Sequence, residues 1–250
     1  MDLAERGQPL PPAATPPDLS IVIPAFNEQR RLPATLATIC GYLRAQQLRW
    51  ELIIVDDGST DDTSSLVEAL AYADDRVRLI KAQHRGKGHA VGLGVLGSRG
   101  HQILLCDADL PTPIEDVALL QRAVRCGASV AIGSRARLDG TQPGDVRPHP
   151  ARAMLGRAAN ALIRAIAIPD IRDTQCGFKL YEGDRARAAF RRARIDGWAF
   201  DIEVLRIFSR RGWPIREVPV RWVHQKGSKV RPIDYLWTFR DLVRIRLADR

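Results

Sequence analysis

The sequence predicts an α/β fold, a mainly parallel sheet with helices on both faces. Three observations predict it. Short, almost wholly apolar runs alternate with segments whose apolar residues recur every three or four positions, and carboxylates gather directly after the apolar runs. Near-continuous apolar strands are those buried on both faces, and strands alternating with helices imply parallel crossover connections. In such sheets ligands bind beyond the carboxyl ends of the strands.

Residues 1–18 carry five prolines (Pro9, Pro11, Pro12, Pro16, Pro17) and no periodicity, which reads as a flexible tail, and residues 19–250 read as a single domain. Ser20 to Ile23 is the first strand, ended by Pro24. Glu28 to Leu48 reads as a helix with Leu32, Leu36, Ile39 and Leu43 on one side, capped by Asn27 and with Glu28 in its first turn. Glu51 to Val55 is a second buried strand, and Asp61 or Asp62 caps a helix near Thr63 to Ala71. Val77 to Ile80, Ile103 to Cys106 and Ser129 to Ile132 supply further strands. Ala151 to Ile168 and Pro232 to Leu247 are amphipathic. The first interleaves Arg152, Arg157 and Arg164 with apolar residues; the second sets Arg240, Arg244 and Arg246 beside Trp237 and Phe239. Such stretches fit helices packed on the sheet, and equally helices lying in a lipid interface with their cations on anionic headgroups.

At 250 residues the chain can bury a sizeable core. Its net charge of +9 favours an anionic partner: nucleic acid, a membrane surface or phosphorylated substrates. Nucleic acid is disfavoured, since there is no aromatic-interleaved basic strand and no helix-turn-helix pattern. No apolar run reaches the roughly 18 residues a membrane span needs, and no signal peptide pattern is present. The four cysteines are widely spaced without a CxxC pair, so neither a zinc site nor a disulfide framework is suggested. A cytosolic face is the simplest reading.

Chemistry concentrates at the strand ends. Asp107 and Asp109 are two carboxylates one residue apart, placed where an apolar strand stops; such a pair can hold a divalent cation against a diphosphate. Asp56 and Asp57 follow another strand and can accept hydrogen bonds from a base N–H or ribose hydroxyls. In His84-Arg85-Gly86-Lys87-Gly88, a basic glycine loop precedes a helix, where backbone N–H groups and Lys87 can meet an anion, although Walker spacing is missing.

Together, Pro24-Ala25-Phe26-Asn27-Glu28, Val55-Asp56-Asp57-Gly58-Ser59, Gly86-Lys87-Gly88, Asp107-Ala108-Asp109 and Gly133-Ser134-Arg135 resemble, in order, the inverting family 2 glycosyltransferases of GT-A fold. Asp173 to Leu180, Trp198 to Glu203 and Gly227-Ser228-Lys229 look like the branch that glucosylates dolichyl phosphate and its bacterial polyprenyl-phosphate relatives. The chain departs from the eukaryotic branch in lacking an N-terminal transmembrane helix and in reading Asp109-Leu110-Pro111-Thr112-Pro113. The resemblance implies a UDP-glucose donor, Mg²⁺ or Mn²⁺, and a polyprenyl-phosphate acceptor met at the cytoplasmic face of a membrane by a peripheral protein.

By that resemblance Pro24, Phe26, Glu28 and Asp57 line the nucleoside pocket, with Asp56, Lys87 and Gln175 also on the donor. Asp107 and Asp109 lie at the ribose and metal, Asp109 being the metal ligand. Arg135, Lys179 and Lys229 meet the acceptor phosphate, with Arg152 a weaker candidate, and Asp173 joins Asp107, Asp109 and Arg135 as a catalytic residue. Trp198 either stacks on a sugar or lipid or packs internally. Two alternatives stay open: transfer of mannose from GDP-mannose, or a hydroxyl acceptor with Asp173, Asp201 or Glu203 as general base.

Overall fold

A computed structural model describes residues 15–134, 171, 173–223 and 232–247 of the chain. Seven strands form one sheet: β1 (Leu19–Ala25), β2 (Trp50–Asp56), β3 (Val77–Lys81), β4 (Gln102–Leu105), β5 (Val130–Ser134), β6 (Lys179–Glu182) and β7 (Ile215–Pro219), in the spatial order β3-β2-β1-β4-β6-β5-β7. All pairings are parallel except those of β6, which runs antiparallel to both β4 and β5. The helices are α1 (Leu32–Arg44), α2 (Thr63–Ala73), α3 (Lys87–Gly97), α4 (Val117–Arg125), α5 (Gly183–Phe190), α6 (Phe200–Arg210) and α7 (Pro232–Leu247). The core is continuous: β1 and β2 are buried almost throughout, and α1 packs Leu32, Leu36, Ile39 and Leu43 beside them. These four positions are the apolar face that the helical spacing predicts.

Strand order reverses around β1, which has β2 on one side and β4 on the other, so this sheet has its crevice at the carboxyl ends of β1 and β4. The β1–β4 ladder stops at Val22 opposite Leu105, two residues before Pro24. Pro24 therefore has no donor to offer where none is required. Beyond that point the chain turns away: Leu110 N donates to Asp107 O at 3.1 Å, and Leu110 takes a positive φ of 42°. From behind, Thr35 Oγ1 of α1 donates to Ala108 O at 2.8 Å. The Asp107–Asp109 segment is thus fixed by its own turn and by α1.

Several expected elements change. The first helix starts at Leu32, not Glu28, because residues 27–31 form a turn with Asn27 at φ 52°. Asn27 does not cap α1; its Oδ1 accepts Thr60 N at 2.8 Å and its N–H reaches Ser59 Oγ, joining the loops after β1 and β2. Of the two aspartates before α2, Asp61 binds Thr63 N, while Asp62 makes no side-chain cap. The helix over Pro232–Leu247 is present with those bounds. Its Leu242 and Ile245 pack into the core, whereas Trp237, Val243, Arg240 and Arg244 face outward. The segment Ala151 to Ile168 lies outside the described residues, as does the tail before residue 15. No helix among the described residues is long and apolar enough to cross a membrane.

Candidate functional site

Three strand ends build one edge. After β1, Phe26 stacks on His84 with ring centroids 4.2 Å apart and planes 17° from parallel. After β2, the buried Asp57 carboxylate accepts His84 Nδ1 at 2.8 Å, Arg85 N at 3.0 Å and Gly86 N at 3.0 Å. Gly86 makes this possible, since its φ of 122° and the Asp196 carbonyl beside it leave no room for a side chain. The loop before α3 is therefore folded back onto Asp57 by its backbone. The Phe26–His84 stack and the buried Asp57 thus tie together the loops after β1, β2 and β3 beside the crevice.

After β4, both carboxylates of the Asp-x-Asp pair carry intramolecular cations. Lys87 Nζ reaches Asp107 Oδ1 at 2.6 Å. Arg31 grips both oxygens of Glu28, at 2.6 and 2.7 Å, and extends to Asp109 Oδ2 at 3.3 Å. Burial and the neighbouring Asp107 charge raise the Asp109 pKa above its ordinary value, with Arg31 opposing them. For Lys87, burial alone favours the neutral amine, but Asp107, Asp201 and Asp109 outweigh it and hold the ammonium above its usual pKa. Both aspartates stay about one quarter exposed, at 28% and 25% of the side chain.

That donor set fits a hard divalent cation. Among the described residues no group of three or more His, Cys, Asp or Glu is arranged to hold an ion, so an all-protein cage is not what they offer. Two accessible carboxylates completed by diphosphate oxygens and water are the usual arrangement for Mg²⁺.

A second layer lies beneath. Lys179 and Asp201 form a buried ion pair at 2.6 Å, Lys179 being 1% exposed, and Lys179 Nζ also donates to Cys176 O at 2.7 Å. Lys87, Asp107, Gly177, Lys179 and Asp201 line one narrow cleft. Trp198 lies against Lys87, the ammonium 5.3 Å from the ring centroid.

The expected site residues divide accordingly. Pro24, Phe26, Glu28, Asp57, Lys87, Asp107 and Asp109 are gathered on this edge. Asp56 is at the end of β2, but its carboxylate is buried and engaged by Ser59 N, Ser59 Oγ and Ser64 Oγ, and that of Asp57 is buried and engaged by His84, Arg85 and Gly86, so for both aspartates the chain itself uses the acceptors meant for a nucleoside. Lys179, expected to meet an acceptor phosphate, is buried and paired with Asp201. Asp173 is half-buried, its backbone N–H bound to Glu217, and Gln175 is exposed at the tip of a turn. Arg135, Arg152 and Lys229 lie outside the described residues. Glu203 accepts the backbone N–H groups of Arg194 and Ile195, and Asp201 holds Lys179, so neither carboxylate is placed as a free base. The sequence reading missed His84 as a stacking partner and Arg31 as a bridge. Arg31 lies three residues after Glu28, a spacing that could have suggested the ion pair.

Residues 20–184 match the family described as Glycosyl transferase family 2. The chain is 36% identical to dolichyl-phosphate beta-glucosyltransferase of Homo sapiens over 92% of its length and 75% of that protein, and 36% identical to the Saccharomyces cerevisiae protein of that name, over 92% and 74%. Its fold is similar to glucosyl-3-phosphoglycerate synthase from Mycobacterium tuberculosis in complex with Mn²⁺, UDP-glucose and phosphoglyceric acid, with TM-score 0.64 and 21% identity over 93% of this chain and 79% of that one. The family match over more than half of the chain, and identities above 30% over most of both lengths, establish that this protein belongs to glycosyl transferase family 2 and is a glycosyltransferase.

Proposed function

We propose that this enzyme transfers glucose from UDP-glucose to a polyprenyl, dolichyl-type, phosphate at a membrane surface, with inversion at the anomeric carbon. One observation carries the reading: the Phe26–His84 stack, braced by Asp57, and the accessible Asp107/Asp109 pair share one sheet edge, with Lys87 beside them. The relatives named as dolichyl-phosphate beta-glucosyltransferases support the choice of donor and acceptor.

Phe26 and His84 offer a face for the uracil ring, and Asp57 fixes the loop that carries His84. Asp109, with Asp107 beside it, would hold Mg²⁺ or Mn²⁺. When bound, the ion supplies Lewis-acid neutralisation of the leaving diphosphate. Lys87 stays protonated and adds positive charge at the same place, where charge develops as the sugar departs. Arg31 bridges Glu28 and Asp109, so an ion pair joins the nucleoside side of the site to the metal side.

A lipid phosphate needs no general base, because the second ionisation of a phosphate monoester lies at about pH 6. The engaged states of Asp201 and Glu203 agree with that. The acceptor instead needs cations that orient it, a role left to Arg135 and Lys229, with Asp173 orienting and Gln175 on the sugar hydroxyls. Guanidinium pairs bidentately with phosphate, which suits Arg135 in particular. The outward face of α7, with Trp237 half-exposed under Arg240 at 4.6 Å, is suited to a peripheral seat on anionic lipid.

An acceptor panel tests the reading. Purified protein with labelled UDP-glucose and Mg²⁺ or Mn²⁺ is offered polyprenyl phosphate, the matching polyprenol, and 3-phosphoglycerate. Lipid-soluble label with polyprenyl phosphate alone is expected. Label on the free alcohol or on phosphoglycerate would overturn the proposed acceptor.

A further inference from the structure

Because β6 runs antiparallel to its neighbours, its first residue, Lys179, stands opposite Leu105, the last residue of β4. The turn leading into β6 is thereby laid against the Asp107–Asp109 segment. Gly177 of that turn touches the Asp107 carboxylate. A Cβ built on Gly177 would lie 2.0 Å from Oδ2, 2.5 Å from Cγ and 2.8 Å from Oδ1, so the carboxylate occupies the volume that any side chain at 177 would need. The φ of Gly177 lies outside the left-handed range, so alanine suits the backbone, and what opposes it is the Asp107 carboxylate, which would have to shift.

The turn itself is anchored. Lys179 Nζ donates to the Cys176 carbonyl at 2.7 Å and to Asp201 Oδ1 at 2.6 Å, and Asp201 belongs to the first turn of α6. Cys176, Phe178, Lys179 and Asp201 are all buried. Asp107 is therefore confined from two sides: Lys87 attracts it at 2.6 Å, and Gly177 closes the space behind it. A group held this way needs little reordering when it meets its ligand.

We propose that Gly177 is a positioning residue that sets the orientation of the Asp107 carboxylate for the metal and diphosphate, and that the buried Lys179–Asp201 pair holds Gly177 in place and contacts no substrate. This rests on the reading of the Asp107/Asp109 edge as the donor diphosphate site. It gives a use to a buried lysine, which otherwise resembles an acceptor-binding cation.

The test is calorimetric titration of UDP into the purified full chain, with Mn²⁺ and with EDTA, alongside thermal melts. The wild type binds UDP more tightly with Mn²⁺ than with EDTA; if it does not, the donor-site reading fails on its own. Gly177→Ala should weaken the Mn²⁺-dependent affinity at least tenfold while the affinity in EDTA, governed by Phe26, His84 and Asp57, changes less than twofold. Gly41→Ala, which has open space around its Cβ, should leave both affinities unchanged. A Gly177→Ala protein with wild-type Mn²⁺-dependent affinity overturns the role of Gly177. The paired replacement Lys179→Met with Asp201→Leu removes both buried charges together; it should melt as a folded protein and show the same metal-selective loss, and unchanged affinity overturns the clamp. Stability gives an independent reading if Gly177→Ala melts too low to titrate. Its loss in Tm should largely vanish in an Asp107→Ala background, and a loss of equal size there would place the conflict elsewhere and refute the contact.

Discussion

Asp107 and Asp109 are one residue apart, yet they meet different partners: Asp107 lies between Lys87 and Gly177, and Asp109 faces Arg31. Burial and the Asp107 charge raise the Asp109 pKa. A carboxyl whose pKa is raised by folding contributes stability at low pH and loses it as pH rises through the folded value. Above its folded pKa, Asp109 therefore costs stability in the metal-free protein. Asp109→Asn should raise the metal-free Tm at neutral pH and abolish the Mn²⁺-dependent part of UDP binding, which a melt and a titration of the same sample would read. A lower Tm would contradict the sign of this effect. His84→Ala removes the ring stacked on Phe26, a contact of roughly 1 kcal/mol. KM for UDP-glucose should rise about fivefold with kcat little changed, as for an interaction equally strong in ground and transition states. Steady-state kinetics across donor concentration would check that split.

At the scale of elements, two glycines on helices give opposite expectations. Gly41, inside α1, has nothing within 4 Å of an added Cβ, so Gly41→Ala should stabilise by about 0.5–1 kcal/mol through helix propensity. Gly94 of α3 lies against β1, and its Cβ would sit 2.3 Å from Val22 Cγ1. Gly94→Ala should destabilise by about 1–3 kcal/mol, as overpacking does. Urea unfolding of both variants measures the contrast. The parallel strands β1 to β5 were legible because runs such as Leu52 to Val55 are apolar at every position. Strand β6 was not. It has only four residues and begins with Lys179, and lysine is almost never fully buried, so the sequence reads it as a surface cation. Its partner Asp201 is 22 residues away, a separation that no local pattern reveals. Strand β7 also escaped: it reads Ile-Arg-Glu-Val-Pro, is partly exposed, and sits at the sheet edge. The carboxylates at strand ends were legible as a set, whereas Asp56 and Asp57 could not be told apart. Adjacent in sequence, they point to different neighbours, one into its own loop and one toward His84.

The sheet order places the ends of β1, β2 and β4 side by side, and the antiparallel strand β6 brings a turn from the second half of the chain back to that edge. The residues gathered on that edge thus come from before β5, and the layer beneath them, with Gly177, Lys179 and Asp201, from after it. The net charge of +9 and the outward Trp237, Arg240, Val243 and Arg244 of α7 suit an anionic membrane. Flotation with vesicles containing anionic lipid should recover the wild type in the lipid fraction, and the triple replacement Trp237→Ala, Arg240→Ala, Arg244→Ala should be recovered at least several-fold less. Equal recovery of the two would remove α7 from the membrane seat. Donor and acceptor choice are read together by a donor competition on polyprenyl phosphate, with differently labelled UDP-glucose and GDP-mannose at equal concentration in the presence of Mn²⁺. Lipid-linked label is expected from UDP-glucose alone; label from GDP-mannose, or no transfer from either donor, would refute a UDP-glucose-dependent polyprenyl-phosphate glucosyltransferase.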